Sequence, residues 1–218
     1  MTIFSLTQLA NQLKSDKGNE YKCAHHYTLH YEKIFTDKIF SDEFSLLEIG
    51  LNRDDCNDLP SLKMYRQYLP KAKLYGFDIR HEFAAFNSMD FAITIGDQSS
   101  VADLRKLKNH SYEIIIDDGS HASSHQQISL RELWPTVASG GYYVIEDLHW
   151  QPFQEDCAKT VDLARSWMEG EMVLGSYLSH SWMSQFQKEI ESIQFLPSAS
   201  KLYSSELASQ AFLVLKKK

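Results

Sequence analysis

The 218-residue sequence predicts an α/β domain built on a doubly wound, mostly parallel sheet. Three observations predict it. Short apolar runs rich in β-branched and aromatic residues alternate with stretches of helical periodicity. The run Ile114-Ile115-Ile116 lacks polar alternation, as a strand buried on both faces requires. Successive runs end in an acidic residue or a glycine, at the strand ends where open α/β sheets bind ligands.

Taken in order, Ser5 caps a first helix that places Leu6, Leu9 and Leu13 on one face, and Lys17-Gly18 reads as its end. The stretch Tyr21–Glu32 is rich in rings. His26 and His30 are spaced to share a helical face, but no third ligand lies at a telling spacing, which favours a structural or pocket-lining role over a metal pair. Phe44–Ile49 is the first strand, closed by Gly50, and Leu51–Asp58 is a polar loop. Pro60 opens a helix with Leu59, Leu62, Tyr65 and Leu69 on one side, and Pro70 stops it. Lys73–Phe77 is the second strand, ending in Asp78. A short helix near 81–87 leads to the third, Phe91–Ile95, which ends in Gly96-Asp97-Gln98.

Ser100 and Asp103 form a capping-box pattern for a helix carrying Val101, Leu104 and Leu107. The fourth strand starts at Tyr112 and runs into Asp117-Asp118-Gly119-Ser120-His121. A helix over Ser123–Val137 then returns the chain to a fifth strand, Gly141–Ile145, which ends in Glu146-Asp147. Asp156–Met168 is amphipathic, with Val161, Ala164 and Met168 on one face, and Ser176–Ile190 reads as either helix or lid. Ile193–Leu196 and Ala211–Leu215 are closing strands. Their connection is too short for a usual crossover helix, so antiparallel pairing is expected. The chain thus reads as one domain over 1–218, with a helical cap over 1–43 and a helical or lid insertion over 151–192.

Twenty-two Lys and Arg against 29 Asp and Glu give a net charge of -7, which argues against a nucleic-acid or anionic-membrane binder. Lys216-Lys217-Lys218 is a solvated tail. Cys23, Cys56 and Cys157 form no C-x-x-C pair and suit free thiols in a reducing cytosol. No signal peptide or membrane-length apolar run is visible, so a cytoplasmic protein is expected.

The strand ends carry the chemistry. Glu48 and Gly50 close the first, Asp78 stands where an acid accepts ribose hydroxyls, and Asp97-Gln98 closes the third, where an amide could meet adenine. Gly50 is the lone glycine between Phe44 and Leu69, so a pyrophosphate cradle is not expected. A nucleoside cofactor without phosphates, S-adenosylmethionine, fits better. Asp118, Glu146 and Asp147 offer hard oxygen ligands suited to Mg²⁺ or a similar dication, whereas strand alternation turns Asp117 to the other face. His121 can act as a general base. His125 and His149 are weaker candidates that would line the pocket.

The combination of Asp16-Lys-Gly18, His25-His-Tyr-Thr28, Tyr31-Glu32, Leu47-Glu-Ile-Gly50, Tyr75-Gly-Phe-Asp78, Gly96-Asp-Gln-Ser99, Ile116-Asp-Asp-Gly-Ser-His121 and Gly140-Gly-Tyr-Tyr-Val-Ile-Glu-Asp147 resembles the metal- and S-adenosylmethionine-dependent sugar O-methyltransferases of macrolide biosynthesis. The resemblance implies a seven-stranded class I methyltransferase (Rossmann-like) sheet. It implies metal ligation by Asp118, Glu146 and Asp147, with His121 as base. It also implies cofactor contacts from Glu48, Gly50, Asp78, Asp97, Gln98 and Asp118, with Tyr27 and Thr28 as further candidates. The expected substrate is a sugar-bearing small molecule whose vicinal hydroxyls chelate the metal, and a homo-oligomer is compatible with this. The alternative is a related-fold hydroxylase or a non-methylating protein that binds a nucleoside or metal.

Overall fold

The computed structural model describes residues 4–36, 38–39, 41, 44–51, 58–151, 157–202 and 204–218, with side chains for all of these but Leu207. Most of the polar loop, with Cys56, and the expected helix start at Asp156 lie outside the described residues. The strands are β1 Ser45–Ile49, β2 Lys73–Asp78, β3 Phe91–Ile95, β4 Tyr112–Asp117, β5 Val137–Ile145, β6 Ile190–Leu196 and β7 Phe212–Lys217. They form one seven-stranded sheet in the order β3-β2-β1-β4-β5-β7-β6. The first five pair in parallel, and β7 runs antiparallel to both β5 and β6, as the short connection predicts. A short helix, Ser205–Ser209, fits inside that connection.

Both faces of the sheet are covered. On one side α1 (Leu6–Gln12), α2 (Thr28–Phe35) and α3 (Pro60–Tyr68) pack on Leu46, Leu74, Ile114, Ile116 and Val144. On the other, α4 (Val101–Leu104), α5 (Ser123–Leu133), α6 (Thr160–Met168) and α7 (His180–Glu189) pack on Leu47, Ile49, Ile115, Tyr143 and Ile145. The isoleucine run of β4 is therefore split between two cores by the period of the strand, which is why it tolerates no polar residue.

Local departures have physical causes. Ser5 and Gln8 form a reciprocal capping box, as the start of α1 requires. The helix stops at Leu13, however, and Lys14 turns left-handed at φ +59°. Lys17-Gly18 is therefore not a helix end; the chain runs inward and buries the Lys17 side chain to 2% exposure. His26, at φ +60°, precedes α2, so it shares no helical face with His30. Ser100 caps the Asp103 amide, but the Asp103 carboxylate turns away to accept from the Asp97 amide, leaving half a capping box. In α6 the buried stripe is Leu163, Ala164 and Trp167, while Met168 is 49% exposed. The expected stripe was displaced because Trp167 reaches Phe186 of α7, with ring centroids 5.4 Å apart. The ambiguous stretch before β6 is α7, capped by Ser179. Among the described residues, no helix is long and apolar enough to cross a membrane.

Candidate active site

Strand order reverses between β1 and β4, and ligands bind at such a switch point, beyond the carboxyl ends of the strands. A cavity of about 690 Å³ opens there, lined by the tips of β1 to β4, by Asp147 and by residues 13–17 and 21–22 of the amino-terminal segment. Backbone hydrogen bonds continue past the strand ends and fix the tips relative to each other: Gly50 N donates to Phe77 O, Asp118 N to Ile49 O, and Glu146 N to Asp117 O. Gly50 sits at φ +81°, and a Cβ there would lie 2.1 Å from the Asp118 carbonyl oxygen. Only glycine allows the two tips to come this close.

The acidic residues divide into two groups. Asp118 and Asp147 line the cavity, and with His121 they present donor atoms all within 4.8 Å of one another. These are chemically suited to a dication. His121 Nε2 lies 3.9 Å from Asp147 Oδ2, while its Nδ1 is buried with no hydrogen-bond partner among the described residues. The Trp150 indole meets the imidazole edge-on at 5.7 Å and is itself 54% exposed. His121 and Asp147 both hold left-handed backbone, at φ +59° and +55°, which costs about 1–3 kcal/mol each and points to a functional constraint.

Glu48 and Glu146 lie behind this group and do not line the cavity. Both face Lys17, whose ammonium is 2.6 Å from Asp118, 2.7 Å from Glu146 and 3.5 Å from Glu48. Glu146 also accepts from the Tyr31 hydroxyl, and Glu48 accepts from Ser61 at 2.6 Å. Both oxygens of Glu146 are thus engaged by protein donors, and it is absent from the donor group that converges on the cavity, unlike the ligand set expected from sequence. Burial works to strip Lys17 of its proton, but Asp118, Glu146 and Glu48 outweigh it and hold the ammonium well above the usual lysine range. Burial pushes the Glu146 and Asp118 carboxyls up against the pull of Lys17, and Glu48 to about 7. Burial also works to raise Asp147, but the imidazoles of His25 and His121 and the Tyr27 hydroxyl overturn it and lower its carboxyl. Three carboxylates around a single lysine, with Asp147 beside them, leave a surplus of negative charge, and a dication between Asp118 and Asp147 would offset it.

The remaining expected residues are placed as follows. Asp78 lines the cavity, with one oxygen accepting from Leu51 N and the other from Arg80 N, both at 2.8 Å. Asp97 lines it too, and accepts from the Ser99 amide and hydroxyl, which hold its carboxyl below the ordinary value. Gln98 reaches the cavity, and its amide donates to Asp117 and Ser129 and accepts from Ser120 N, so it pins the acidic turn. Tyr27 and Thr28 are fully buried outside the cavity. Tyr27 donates to Asp147 at 2.7 Å, and Thr28 pairs with Thr7. His125 lines the cavity beside Ser120, and His149 does not line it. Asp117 faces away into the core, accepting from Gln98 and Tyr143; burial raises its carboxyl to about 6.

No family model matches the chain. It is 34% identical over 149 residues to an 8-demethyl-8-(2-methoxy-α-L-rhamnosyl)-tetracenomycin-C 3′-O-methyltransferase of Streptomyces olivaceus, covering 66% of this chain and 36% of that protein. It is 32% identical over 136 residues to the mycinamicin VI 2″-O-methyltransferase of Micromonospora griseorubida, covering 59% and 34%. The chain thus spans little more than a third of the length of these curated relatives. A solved structure of the methyltransferase MycE with Mg, SAH and mycinamicin VI superposes with a TM-score of 0.73 at 22% identity, over 98% of this chain and 54% of that one. An O-methyltransferase from Bacillus cereus in complex with SAH superposes with a TM-score of 0.52 at 8% identity, over 98% and 90%. The chain therefore has the class I S-adenosylmethionine-dependent methyltransferase fold and, over much of its length, is a sequence relative of the sugar O-methyltransferases of macrolide and tetracenomycin pathways.

Proposed function

We propose that this chain catalyses methyl transfer from S-adenosylmethionine to a hydroxyl on the sugar of a glycosylated natural product, with help from Mg²⁺ or a similar dication. The observation that carries the reading is that Asp118, His121 and Asp147 converge on the same cavity that Asp78 and Asp97 line. Its volume falls in the range of cofactor pockets, about 300–1,000 Å³. Asp78 keeps lone pairs beyond its two backbone donors, which suit ribose hydroxyls.

When bound, the cofactor would supply the methyl group as a sulfonium, and the dication would lower the pKa of the attacking hydroxyl. Asp118 and Asp147 would hold the cation, and vicinal hydroxyls of the sugar would chelate it. His121 takes the hydroxyl proton at Nε2, and Asp147, 3.9 Å away, stabilises the imidazolium that results. Lys17 holds Asp118 in place from behind. The fixed strand tips hold these groups in register, and alignment of this kind supplies much of the rate in a displacement reaction.

The test is mass spectrometry of candidate glycosides incubated with protein, S-adenosylmethionine and Mg²⁺, with and without chelator. A product one methylene heavier that disappears with chelator is expected. Calorimetry should show binding of S-adenosylmethionine and its demethylated product. Tight binding of NAD alone would overturn the reading.

A further inference from the structure

Asp147 turns its two carboxylate oxygens to different neighbours. Oδ2 faces His121 at 3.9 Å, while Oδ1 accepts from the Tyr27 hydroxyl at 2.7 Å and lies 3.7 Å from His25 Nε2. On that second side, His25, Asp147 and His149 present donor atoms all within 4.8 Å of one another. Neither histidine lines the large cavity, and this donor group shares only Asp147 with the one that Asp118 and His121 form.

Its surroundings are those of a ligand set. His25 is 2% exposed, and its Nδ1 is held by Ser198 Oγ at 3.0 Å, which leaves Nε2 directed at Asp147. Ligating histidines are oriented in this way, with the second ring nitrogen fixed by an oxygen behind it. The His25 ring plane is further set by stacking on Tyr27, with centroids 4.8 Å apart and an angle of 13°. Backbone bonds on both sides anchor the residue, His25 N to Asp16 O and Ala199 N to His25 O. The His149 ring stands 5.5 Å from that of His25 at 57°, so the two are not stacked and their edges can converge.

The geometry points to a second cation site, in which His25 Nε2, Asp147 Oδ1 and a ring nitrogen of His149 hold a borderline divalent transition metal of the zinc or cobalt class. Two imidazoles and one carboxylate favour such an ion over Mg²⁺, which prefers oxygen donors. Asp147 would then be shared between a nitrogen-rich and an oxygen-rich position. The site does not depend on the methyl-transfer reading, and it is tested without an activity assay.

The full chain is stripped with chelator, equilibrated with Zn²⁺ in excess Mg²⁺, dialysed and analysed for metal. About one retained Zn²⁺ per chain is expected for the wild type and for Asp118→Ala. His25→Ala or His149→Ala should lose it. Ser198→Ala, which removes no ligand, should weaken Zn²⁺ binding by roughly 10–100-fold. Because the histidine variants could misfold, the wild type is also titrated with Co²⁺. Visible d–d bands and paramagnetically shifted ring signals from two histidines are expected, and both should persist in Mg²⁺. Displacement by Mg²⁺, Zn²⁺ retention in a folded His25→Ala/His149→Ala double variant, or a Co²⁺ complex without shifted histidine signals would each overturn the proposal.

Discussion

Replacing Lys17 by Met keeps the length of the side chain and removes its charge from the acidic cluster. The ammonium is 2% exposed and lies 2.6 Å from Asp118, 2.7 Å from Glu146 and 3.5 Å from Glu48. Glu48 and Glu146 are themselves almost wholly buried, so neither can turn to water when the partner goes. Breaking a buried ion pair from one side costs about 3–5 kcal/mol, because the other charge is left uncompensated. For a domain of this size that is a fall in Tm of roughly 6–20 °C. A dication bound to the native state alone recovers some of it, about 2.7 kcal/mol at a hundred times its Kd. The assay is thermal unfolding of wild type and Lys17→Met, each in chelator and in Mg²⁺. The variant should melt far lower in chelator, and Mg²⁺ should raise its Tm by more than it raises that of the wild type. A loss below about 1 kcal/mol, the level of an exposed surface pair, would refute the electrostatic account. So would an identical Mg²⁺ shift in both proteins.

Asp118→Ala should weaken Mg²⁺ binding at least tenfold by calorimetry, about 1.4 kcal/mol. His121→Ala should leave Mg²⁺ binding intact while lowering kcat by about 10²–10⁴-fold; if it loses the metal instead, His121 is a ligand and not the base. Gly50→Ala places a Cβ 2.1 Å from the Asp118 carbonyl oxygen at φ +81°, so urea unfolding should show a loss above about 1–2 kcal/mol, the left-handed backbone term alone. Glu132 is held by Lys108 at 2.9 Å, Arg131 at 3.0 Å and Arg105 at 3.6 Å. Burial works to raise its carboxyl, but the bonds from Lys108 and Arg131 prevail and lower it. Its ionised form therefore stabilises the fold above the unfolded value of about 4.3, and that contribution fades as pH falls through the lower folded value. Glu132→Gln should cost about 1 kcal/mol at neutral pH, and the gap to wild type should close on acidification.

The strands and their order in the chain were legible because each is a run of apolar residues closed by glycine or acid. The antiparallel close of the sheet followed from the length of one connection. The tips also placed Asp78, Asp97, Asp118 and Asp147 on one cavity. What could not be read was the partner of the acids. Lys17 contacts residues 101 and 129 positions away, and Lys-Gly looks locally like the end of a helix. Nor did adjacency in sequence reveal that Glu146 and Asp147 face different surroundings. The same alternation that separates Asp117 from Asp118 sends Glu146 to Lys17 and Tyr31 and Asp147 to the cavity. The partners of Gln98 were hidden for the same reason: the acceptors its amide meets come from β4 and α5, which no local spacing brings near.

The inward course of residues 13–17 matters to anyone trimming this polypeptide. Drawn by secondary structure alone, a minimal fragment would begin near Phe44, ahead of the first strand. That fragment would keep all seven strands and discard the ammonium that partly offsets the charge of their acidic tips, along with the Tyr27 and Tyr31 hydroxyls that hold Asp147 and Glu146. Its sheet would close over bare buried carboxylates, and aggregation on expression is the foreseeable outcome. The opening helical segment thus belongs to the interior chemistry as firmly as any strand, and protein engineers should treat it as indispensable.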